Sequence, residues 1–414
     1  MHASSLAQST LPFGILLACA SSLSAVTASA DATVTDFFDQ GKLLVDARYR
    51  FEHVDQDGIA NEAEAHTLRA RIGFLTGKVW DLQFLVEGEG VFQFNDDFND
   101  TVPNRPAWPI VADPEDIQLN RLQVEWSGLP QTVVTVGRQR MNLDNQRFVG
   151  GVAFRQNEQT FDAVRITNTS IDNLSLTYAY ISQVNRVFGE ESAQGTYEGG
   201  SHIINAGYAI RDWGTLTGYA YLLDLEEVPS QSTATYGARF AGKHALAKDI
   251  SAVYALEYAS QSDYATNPGD YELDYWLVEA GIAAHGFTLL GGMETLQGDG
   301  TRGFSTPLAT LHKFQGYADV FLTTPANGIV DTYATLSYDT KLEDAGPVTG
   351  LTAAVTYHDF EAERTGASYG SETDMELVAR FGDNWSAGVK YAMYDGDGAF
   401  ADRDKLWLTV EFKY

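Results

Sequence analysis

The chain has 414 residues, which is enough for one large domain or two of ordinary size. Aspartate and glutamate number 56 against 27 lysines and arginines, and the formal net charge is −29. This charge excludes nucleic acid as an expected partner, because phosphate backbones attract basic surfaces. We interpret the acidic excess as solvated surface, with external loops that bind divalent cations as the alternative.

Residues 1–30 have the pattern of a secretory signal peptide. Leu11 to Ala20 form the apolar centre, and Ala28-Ser29-Ala30 forms a small-residue cleavage site, although no lysine or arginine precedes Leu11. The only cysteine, Cys19, lies in this segment, so lipoprotein processing at Cys19 is the alternative. A chain cut after Ala30 has no cysteine, which removes disulfides, thiolate metal sites and thiol nucleophiles together. Residues 31–414 are predicted to form one domain.

Segments in which apolar and polar residues alternate dominate the rest of the chain. A period of two is the pattern of a β-strand, and about eighteen such segments can be counted. The clearest are Leu43–His53, Leu68–Phe74, Leu82–Gln93, Met375–Phe381 and Trp385–Tyr391. The others lie near 117–126, 132–138, 161–167, 174–184, 202–210, 215–224, 234–242, 251–261, 274–283, 287–295, 330–338, 351–360 and 406–414. No later run of about 18 apolar residues exists, which excludes a membrane-spanning helix.

Charge is confined to one face of the clearest segments. The face without charge carries Leu43, Val45, Ala47, Tyr49, Phe51, Leu68, Ala70, Ile72, Phe74, Leu82, Phe84, Val86 and Phe92. The other face carries Asp46, Arg48, Arg50, Glu52, Arg69, Arg71, Gln83, Glu87, Glu89 and Gln93, and late in the chain Glu376, Arg380 and Lys390. An arginine or lysine at the lipid midplane costs about 2–4 kcal/mol. The pattern therefore predicts apolar side chains towards lipid and ionic side chains around a polar lumen.

Two segments do not fit this division. In 132–138, Arg138 shares the parity of Val134 and Val136, which indicates either a bulge at Gly137 or a position at headgroup level. The segment 161–167 does not resolve into two faces.

The final segment, Leu406–Tyr414, reads LWLTVEFKY and ends on an aromatic residue. Its free edge needs a partner, because unpaired backbone groups in lipid cost several kcal/mol each and only a closed barrel satisfies them all. Leu43–His53 has the same pattern, and we expect it to pair with the final segment. The predicted fold is all-β, a transmembrane antiparallel up-and-down β-barrel of about 18 strands. A soluble β-sandwich is the alternative, since its strands also alternate.

The connections between segments alternate between short and long. The short ones are Gly77–Asp81, Ser127–Gln131, Arg211–Gly214, Ala284–Gly286 and Gly382–Asn384, and the long ones are Asn95–Asp116, Met141–Thr160, Gly189–Ser201 and Gly298–Gly328. Barrels of the outer membrane have short periplasmic turns and long external loops, so both termini are predicted to be periplasmic. Trp80, Trp126, Trp213 and Trp385 lie beside short turns, where an interfacial aromatic girdle is expected.

Four stretches resemble the alginate-export family of outer-membrane barrels. They are Gly41–Glu52 (GKLLVDARYRFE), His66–Phe74 (HTLRARIGF), Gly137–Phe154 (GRQRMNLDNQRFVGGVAF) and Gly303–Val320 (GFSTPLATLHKFQGYADV). The resemblance implies an electropositive pore that passes an anionic uronate polymer outward, with loops obstructing the resting channel.

The candidate substrate pathway consists of cations on the inner parity or in loops that fold into the lumen. They are Arg48, Arg50, Arg69, Arg71, Arg121, Arg140, Arg147, Arg155, Arg239, Arg380 and Lys390. Guanidinium groups suit carboxylated sugars because they bind a carboxylate in a bidentate fork. The alternative is that these cations are paired across the lumen with inward carboxylates, namely Glu52, Glu87, Glu89, Glu125, Glu257 and Glu376.

Metal and catalytic sites have weaker support in the sequence. Asp96, Asp97 and Asp100 are weak candidates for loop-bound Ca²⁺, because no stretch completes the spacing of a calcium loop. Ser201 and His202 are adjacent and would point to opposite faces of a strand, so they do not form a nucleophile–base pair. His312 is expected to be a loop-packing or plug residue. Glu87 and Glu89 share a face, yet inward arginines nearby favour a pore lining over glycoside chemistry.

The sequence therefore predicts a non-enzymatic channel in the bacterial outer membrane for anionic polysaccharide or acidic sugars, gated by Met141–Thr160 and Gly298–Gly328. The alternative is a general or differently selective porin that takes up small nutrients, and a barrel hydrolase is a third and weaker hypothesis. The expected partners are outer-membrane lipid and lipopolysaccharide, an anionic sugar polymer or oligomer, and the barrel assembly machinery through the C-terminal strand.

Overall fold

A computed structural model describes residues 34–342 and 346–414 as an 18-stranded antiparallel sheet. Each strand pairs with the next along the chain, and the last pairs with the first, so the sheet closes into a barrel. The strands are β1 (Lys42–Gln56), β2 (Ala63–Leu75), β3 (Leu82–Gln93), β4 (Asp116–Leu129), β5 (Thr132–Gln139), β6 (Thr160–Asn168), β7 (Leu174–Asn185), β8 (Thr196–Ile210), β9 (Gly214–Leu223), β10 (Thr233–Ala247), β11 (Ile250–Asp263), β12 (Glu272–Ala284), β13 (Phe287–Leu296), β14 (Ile329–Lys341), β15 (Val348–Glu361), β16 (Ser368–Phe381), β17 (Trp385–Gly396) and β18 (Arg403–Lys413). A short helix, α1 (Asp36–Asp39), precedes β1, and 3₁₀ turns lie at Pro229–Gln231 and Leu311–Lys313. The closed barrel of eighteen strands confirms the predicted fold class.

The barrel closes where the sequence predicts. Tyr49 of β1 lies opposite Val410 of β18, and the backbones of Val45 and Tyr414 exchange hydrogen bonds of 3.0 and 2.8 Å. The edge of the final strand is therefore paired to its last residue. The predicted signal peptide, with Cys19, lies outside the described residues. Within the described ranges, no helix is long and apolar enough to cross a membrane.

The two faces of the wall match the predicted parity. Ile72 is 63% exposed on the outer face, whereas Arg69 and Arg71 on the same strand are 1% and 4% exposed. The segment whose faces the sequence left unassigned is β6, where Val164 and Ile166 are exposed. A register irregularity between Asp162 and Ala163 obscures its alternation.

Arg138 lies on the outer face without a bulge at Gly137. The pairing of β5 with β4 runs without a shift from Val136 to Arg138, so the bulge hypothesis is wrong. The Arg138 guanidinium instead donates two hydrogen bonds, of 2.8 and 3.1 Å, to the carboxylate of Asp162. This pair is near the end of β5 that leads into a long loop, which agrees with the headgroup-level alternative.

The connections divide the barrel into two rims. One rim carries both described ends of the chain and the turns of at most six residues after β2, β4, β6, β8, β10, β12, β14 and β16. The four tryptophans predicted for the girdle are at this rim and are 38% to 56% exposed. The other rim carries the longest loops, after β3, β5 and β13. One predicted loop, Gly189–Ser201, is too long, because β8 begins at Thr196 and pairs there with Asn185.

Two of the long loops fold into the barrel and contact each other. We call them loop 5–6 (residues 140–159) and loop 13–14 (residues 297–328). The Gly150 amide donates to the Leu308 carbonyl at 2.9 Å, and the Thr310 amide donates to the Gln146 carbonyl at 3.0 Å. Apolar loop residues pack there against the inner wall in one buried cluster that includes Met141, Phe148, Phe304, Tyr219 and Tyr275. The sequence predicts ionic side chains all round the lumen. This expectation is wrong for the part of the wall that packs against the apolar residues of the loops.

Candidate functional site

The two inner loops contact each other inside the barrel at a point that we call the constriction. The Phe154 ring of loop 5–6 stacks on the His312 ring of loop 13–14, with 3.4 Å between centroids and 12° between planes. Trp407 of β18 packs edge-on against both rings, at 5.8 and 5.6 Å. His312 lines an outer cavity of about 600 Å³, and Phe154 and Trp407 line an inner one of about 170 Å³. The stacked rings are therefore at the boundary between two compartments.

A set of cations, which we call the basic strip, runs along four adjacent strands beside this contact. It comprises Lys390 of β17, Arg403 and Lys405 of β18, Arg48 and Arg50 of β1, and Arg69 and Arg71 of β2. The strands meet because β18 pairs with β1, so residues from both ends of the chain share one wall. Arg48, for example, lies opposite Glu411 on one side and Arg69 on the other.

Sequence reasoning missed Arg403 and Lys405. The alternation was read only from Leu406, so both residues fell outside the predicted strands. Extending the inward parity of Trp407 back by two and four positions would have found them, because β18 begins at Arg403.

Most predicted lumen cations are paired with carboxylates. Nine of the eleven have a carboxylate oxygen within 4.0 Å. The pairs are Arg50–Asp113 (3.9 Å), Arg69–Glu411 (3.1 Å), Arg71–Glu158 (3.4 Å), Arg121–Glu87 (2.7 Å), Arg140–Glu158 (2.7 Å), Arg147–Glu294 (2.9 Å), Arg155–Glu52 (3.1 Å), Arg239–Glu257 (2.6 Å) and Arg380–Asp339 (3.0 Å). These nine cations therefore agree with the alternative hypothesis, in which the inward cations are paired with carboxylates.

Arg48 and Lys390 are different, since no carboxylate oxygen of the described chain lies within the same distance of either. Arg48 donates to Gln156 Oε1 and the Ala153 carbonyl, both at 2.9 Å, and to the Arg155 carbonyl, so it fastens loop 5–6 to the wall. Lys390 has its Nζ 3.7 Å from the centre of the Tyr317 ring and 3.4 Å from His312 Nε2. Its charge therefore faces the constriction with only aromatic and imidazole partners at close range.

Asp319 at the tip of loop 13–14 joins the loop to the basic strip. Its Oδ2 accepts hydrogen bonds from Lys405 Nζ at 2.9 Å and from Arg155 Nη2 at 3.2 Å, and its Oδ1 is 2.8 Å from His312 Nδ1. Burial alone would raise the pKa of Asp319, but His312, Lys405 and Arg155 together hold it well below its usual range. The Asp319 carboxylate is therefore ionised.

Burial lowers the pKa of His312 to about 3, despite the opposing effect of Asp319, so the imidazole is neutral. An ionised carboxylate can only accept a hydrogen bond and an ammonium can only donate one. The proton therefore lies on Nδ1, towards Asp319, while Nε2 presents its lone pair to Lys390. His312 is buried in the packing between the two loops, which agrees with the loop-packing alternative.

The weak metal and catalytic candidates do not assemble into sites. Asp96 and Asp97 are exposed, while Asp100 accepts hydrogen bonds from Gln93 and the Val102 amide. In the described part of the chain, no three histidine, aspartate or glutamate residues lie close enough to hold a metal ion. Loop-bound Ca²⁺ stays a prediction. Ser201 is buried and bonds the Asp224 carbonyl, whereas His202 is paired with the exposed Tyr178, so the two are on opposite faces.

Solved structures of Opd and Occ outer-membrane porins share this fold. OpdL of Pseudomonas aeruginosa matches with a TM-score of 0.67 and 15% identity, over 91% of this chain and 99% of that one. OccAB4 of Acinetobacter baumannii matches with a TM-score of 0.68 and 13% identity, over 90% and 98%. OpdK of Pseudomonas aeruginosa, solved with vanillate, matches with a TM-score of 0.68 and 14% identity, over 90% and 98%. The closed 18-stranded barrel is therefore a fold that this chain shares with outer-membrane porins.

No protein-family model and no curated protein matches the sequence. The resemblance to alginate-export barrels is not supported, because the structural relatives are Opd and Occ porins. The shared property is the 18-stranded barrel itself.

Proposed function

We propose that this chain forms an outer-membrane channel for the uptake of small solutes that carry a carboxylate. The observation that carries the proposal is the basic strip, which passes from the outer cavity to the inner one beside a contact that two loops close. Uptake of small solutes is the alternative that the sequence gave beside polymer export, and the preference for a carboxylate is kept from the first hypothesis. Compartments of about 600 and 170 Å³ suit a small molecule better than a continuous polysaccharide strand.

The chemistry of the constriction supports a solute with both an anionic group and an apolar body. Cations are placed over aromatic rings there, with Arg50 4.2 Å and Lys390 5.1 Å from the centre of the Phe154 ring. A flat ring could stack where Phe154 and Trp407 lie while its carboxylate moves from one cation to the next. The OpdK structure with vanillate, an aromatic carboxylate, agrees with this solute class.

The paired state of most arginines supports weak and repeated binding. A channel conducts when each site attracts a solute but does not retain it. A solute carboxylate near Arg71 or Arg155 must compete with carboxylates already bound, whereas near Lys390 it meets a cation whose close partners are rings. We propose that Lys390 is the strongest point of attraction along the strip.

We further propose that the short-turn rim faces the periplasm and the long-loop rim faces outward, as in other barrels of this membrane. Both termini would then be periplasmic, lipopolysaccharide would surround the outer half of the wall, and the barrel assembly machinery would engage β18. The dense loop packing and the porin relatives favour a channel over a hydrolase.

The experiment combines planar-bilayer recording with liposome swelling. In a KCl gradient, the reversal potential should indicate preference for Cl⁻ over K⁺. Benzoate should enter liposomes faster than benzamide, which has the same ring and no charge. A preference for K⁺, or equal entry of the two solutes, would contradict the proposal. Faster passage of a uronate oligomer than of its monomer would favour export instead.

A further inference from the structure

Arg155 and Lys405, which line the outer cavity, share two carboxylates, and Arg155 contacts a third. Glu52 is 3.1 Å from Arg155 and 3.4 Å from Lys405, and Asp113 is 3.7 Å from Arg155. Asp319 is 3.2 Å from Arg155 and 2.9 Å from Lys405. With Arg50, which is 3.9 Å from Asp113, the group contains three cations and three carboxylates and is neutral.

Only one of these carboxylates is in contact with the cavity. Arg155, Lys405, His312 and Asp319 line it, whereas Glu52 and Asp113 do not and are completely buried. A solute in the outer cavity therefore meets the Asp319 carboxylate and the three groups that bind it. Those groups hold one oxygen between two cations and the other oxygen against an imidazole N–H.

The tip of loop 13–14 is held in place without the Asp319 side chain. Arg403 donates to the carbonyls of Ala318 and Asp319 at 3.0 and 3.1 Å. The Ala318 and Tyr317 amides donate to Glu372 and Asp374 at 2.6 and 3.0 Å. The wall thus fixes the backbone of the tip from both sides, and the carboxylate is free to change its contacts by rotating its side chain.

We propose that the Asp319 carboxylate is a built-in occupant of an anion seat, formed by Arg155, Lys405 and His312, and that the carboxylate of a permeating solute replaces it. This inference rests on the proposed function, since it assigns that function's solute to a particular seat. Entry of a solute while Asp319 stayed bound would add a fourth carboxylate to this neutral group, and the nearby Arg403 already donates to the backbone carbonyls of Ala318 and Asp319. Because uncompensated buried charge is strongly unfavourable, the two carboxylates exclude each other. The seat is therefore self-ligated in the absence of solute.

The test is Asp319→Asn in the full-length barrel, which removes the charge and keeps the shape. Asp319 has φ of +59°, a left-handed conformation that asparagine also tolerates. Sodium benzoate is added to one side of a planar bilayer, and the concentration that blocks half of the Cl⁻ current is measured. Removing the competitor should lower this concentration about tenfold or more, because a seat that is rarely vacant weakens apparent affinity by its vacant fraction. Benzamide should have no such effect.

A matched variant separates competition from a general change of charge. Asp299→Asn makes the same charge change in the same loop, where the Asp299 carboxylate accepts hydrogen bonds from Thr301 and Arg302, and it should leave the half-blocking concentration of the unaltered channel unchanged. If Asp319→Asn fails to assemble, Asp319→Gly tolerates the same backbone and carries the same expectation.

The outcomes also separate this inference from the function on which it rests. An anion-preferring channel whose benzoate block is the same with and without the Asp319 charge would overturn the inference alone. A cation-preferring channel in which benzoate blocks none of the variants would overturn the proposed function.

Discussion

Replacing Lys390 by glutamine should weaken the attraction of the constriction for anions. The lysine Nζ lies 5.1 Å from the centre of the Phe154 ring, so an anion that passes this ring comes within about 5 Å of the charge. Coulomb's law gives about 0.8 kcal/mol at that distance in bulk water, and about 3 kcal/mol at the effective dielectric constant of about 20 typical of protein surfaces. Since 1.4 kcal/mol corresponds to a factor of ten, even the lower value reduces anion permeability about fourfold.

The measurement is the reversal potential of the purified barrel in a KCl gradient, with and without Lys390→Gln. Arg211→Gln is the matched control, because it removes the same charge from a side chain that is 94% exposed at the short-turn rim. We expect the first variant to shift the ratio of Cl⁻ to K⁺ permeability at least about fourfold and the second to leave it almost unchanged. Equal reversal potentials for Lys390→Gln and the unaltered barrel would refute the role assigned to this cation.

Three further predictions concern the wall and the loops. Ile72→Arg, at an outward position that is 63% exposed, should impair assembly by up to about 2–4 kcal/mol, whereas Ile72→Leu should not, as judged by heat-modifiable migration in gels. Arg71→Met leaves Glu89 buried without its cation, whereas Glu158 keeps Arg140, so the change should cost about 3–5 kcal/mol of stability and adding Glu89→Gln should recover part of the loss. His312 binds its proton only near pH 3 in the folded chain but near pH 6.5 in the unfolded chain, so the free energy of unfolding falls by up to about 1.4 kcal/mol per pH unit as the pH drops below 6.5. His312→Gln should therefore make the melting temperature depend less steeply on pH between pH 6 and pH 4. An unchanged pH dependence would contradict the burial of this imidazole.

The wall was readable from the sequence because outward and inward residues alternate within each strand. Ile72 and Tyr49 are exposed on the outer face and Arg69 is buried on the inner face whatever the loops do, so the alternation has a local cause. The prediction failed where that local rule is interrupted. The β6 strand has a register irregularity, and the start of β8 at Thr196 lies in a stretch with two glycines, Gly199 and Gly200, that weaken the pattern.

The interior was less predictable because it depends on contacts between distant parts of the chain. In β12, Trp276 is exposed on the outer face, but its neighbour Tyr275 is a large aromatic residue on the inner face, where the alternation predicts a polar one. The reason is that Phe304 of loop 13–14 packs against Tyr275, with 5.8 Å between the ring centroids. The candidate cations lie on the inner face of the wall or in the inner loops. Four of the inward carboxylates named as possible partners, Glu52, Glu87, Glu89 and Glu257, do pair with them. Asp113 and Glu158 come from loops and were not foreseeable. Lys390 appeared equivalent to Arg380 in the sequence, and only the folded loops distinguish them.

The hydrogen bonds between loop 5–6 and loop 13–14 have a mechanical consequence for the whole cylinder. The strands that carry these loops are eight positions apart in a ring of eighteen, so the loops extend from nearly opposite walls. Joined at Gly150–Leu308 and Gln146–Thr310, they form a crossbeam through the middle of the barrel. We expect such a brace to resist flattening of the cylinder, so that the same bonds that join the two loops also support the wall.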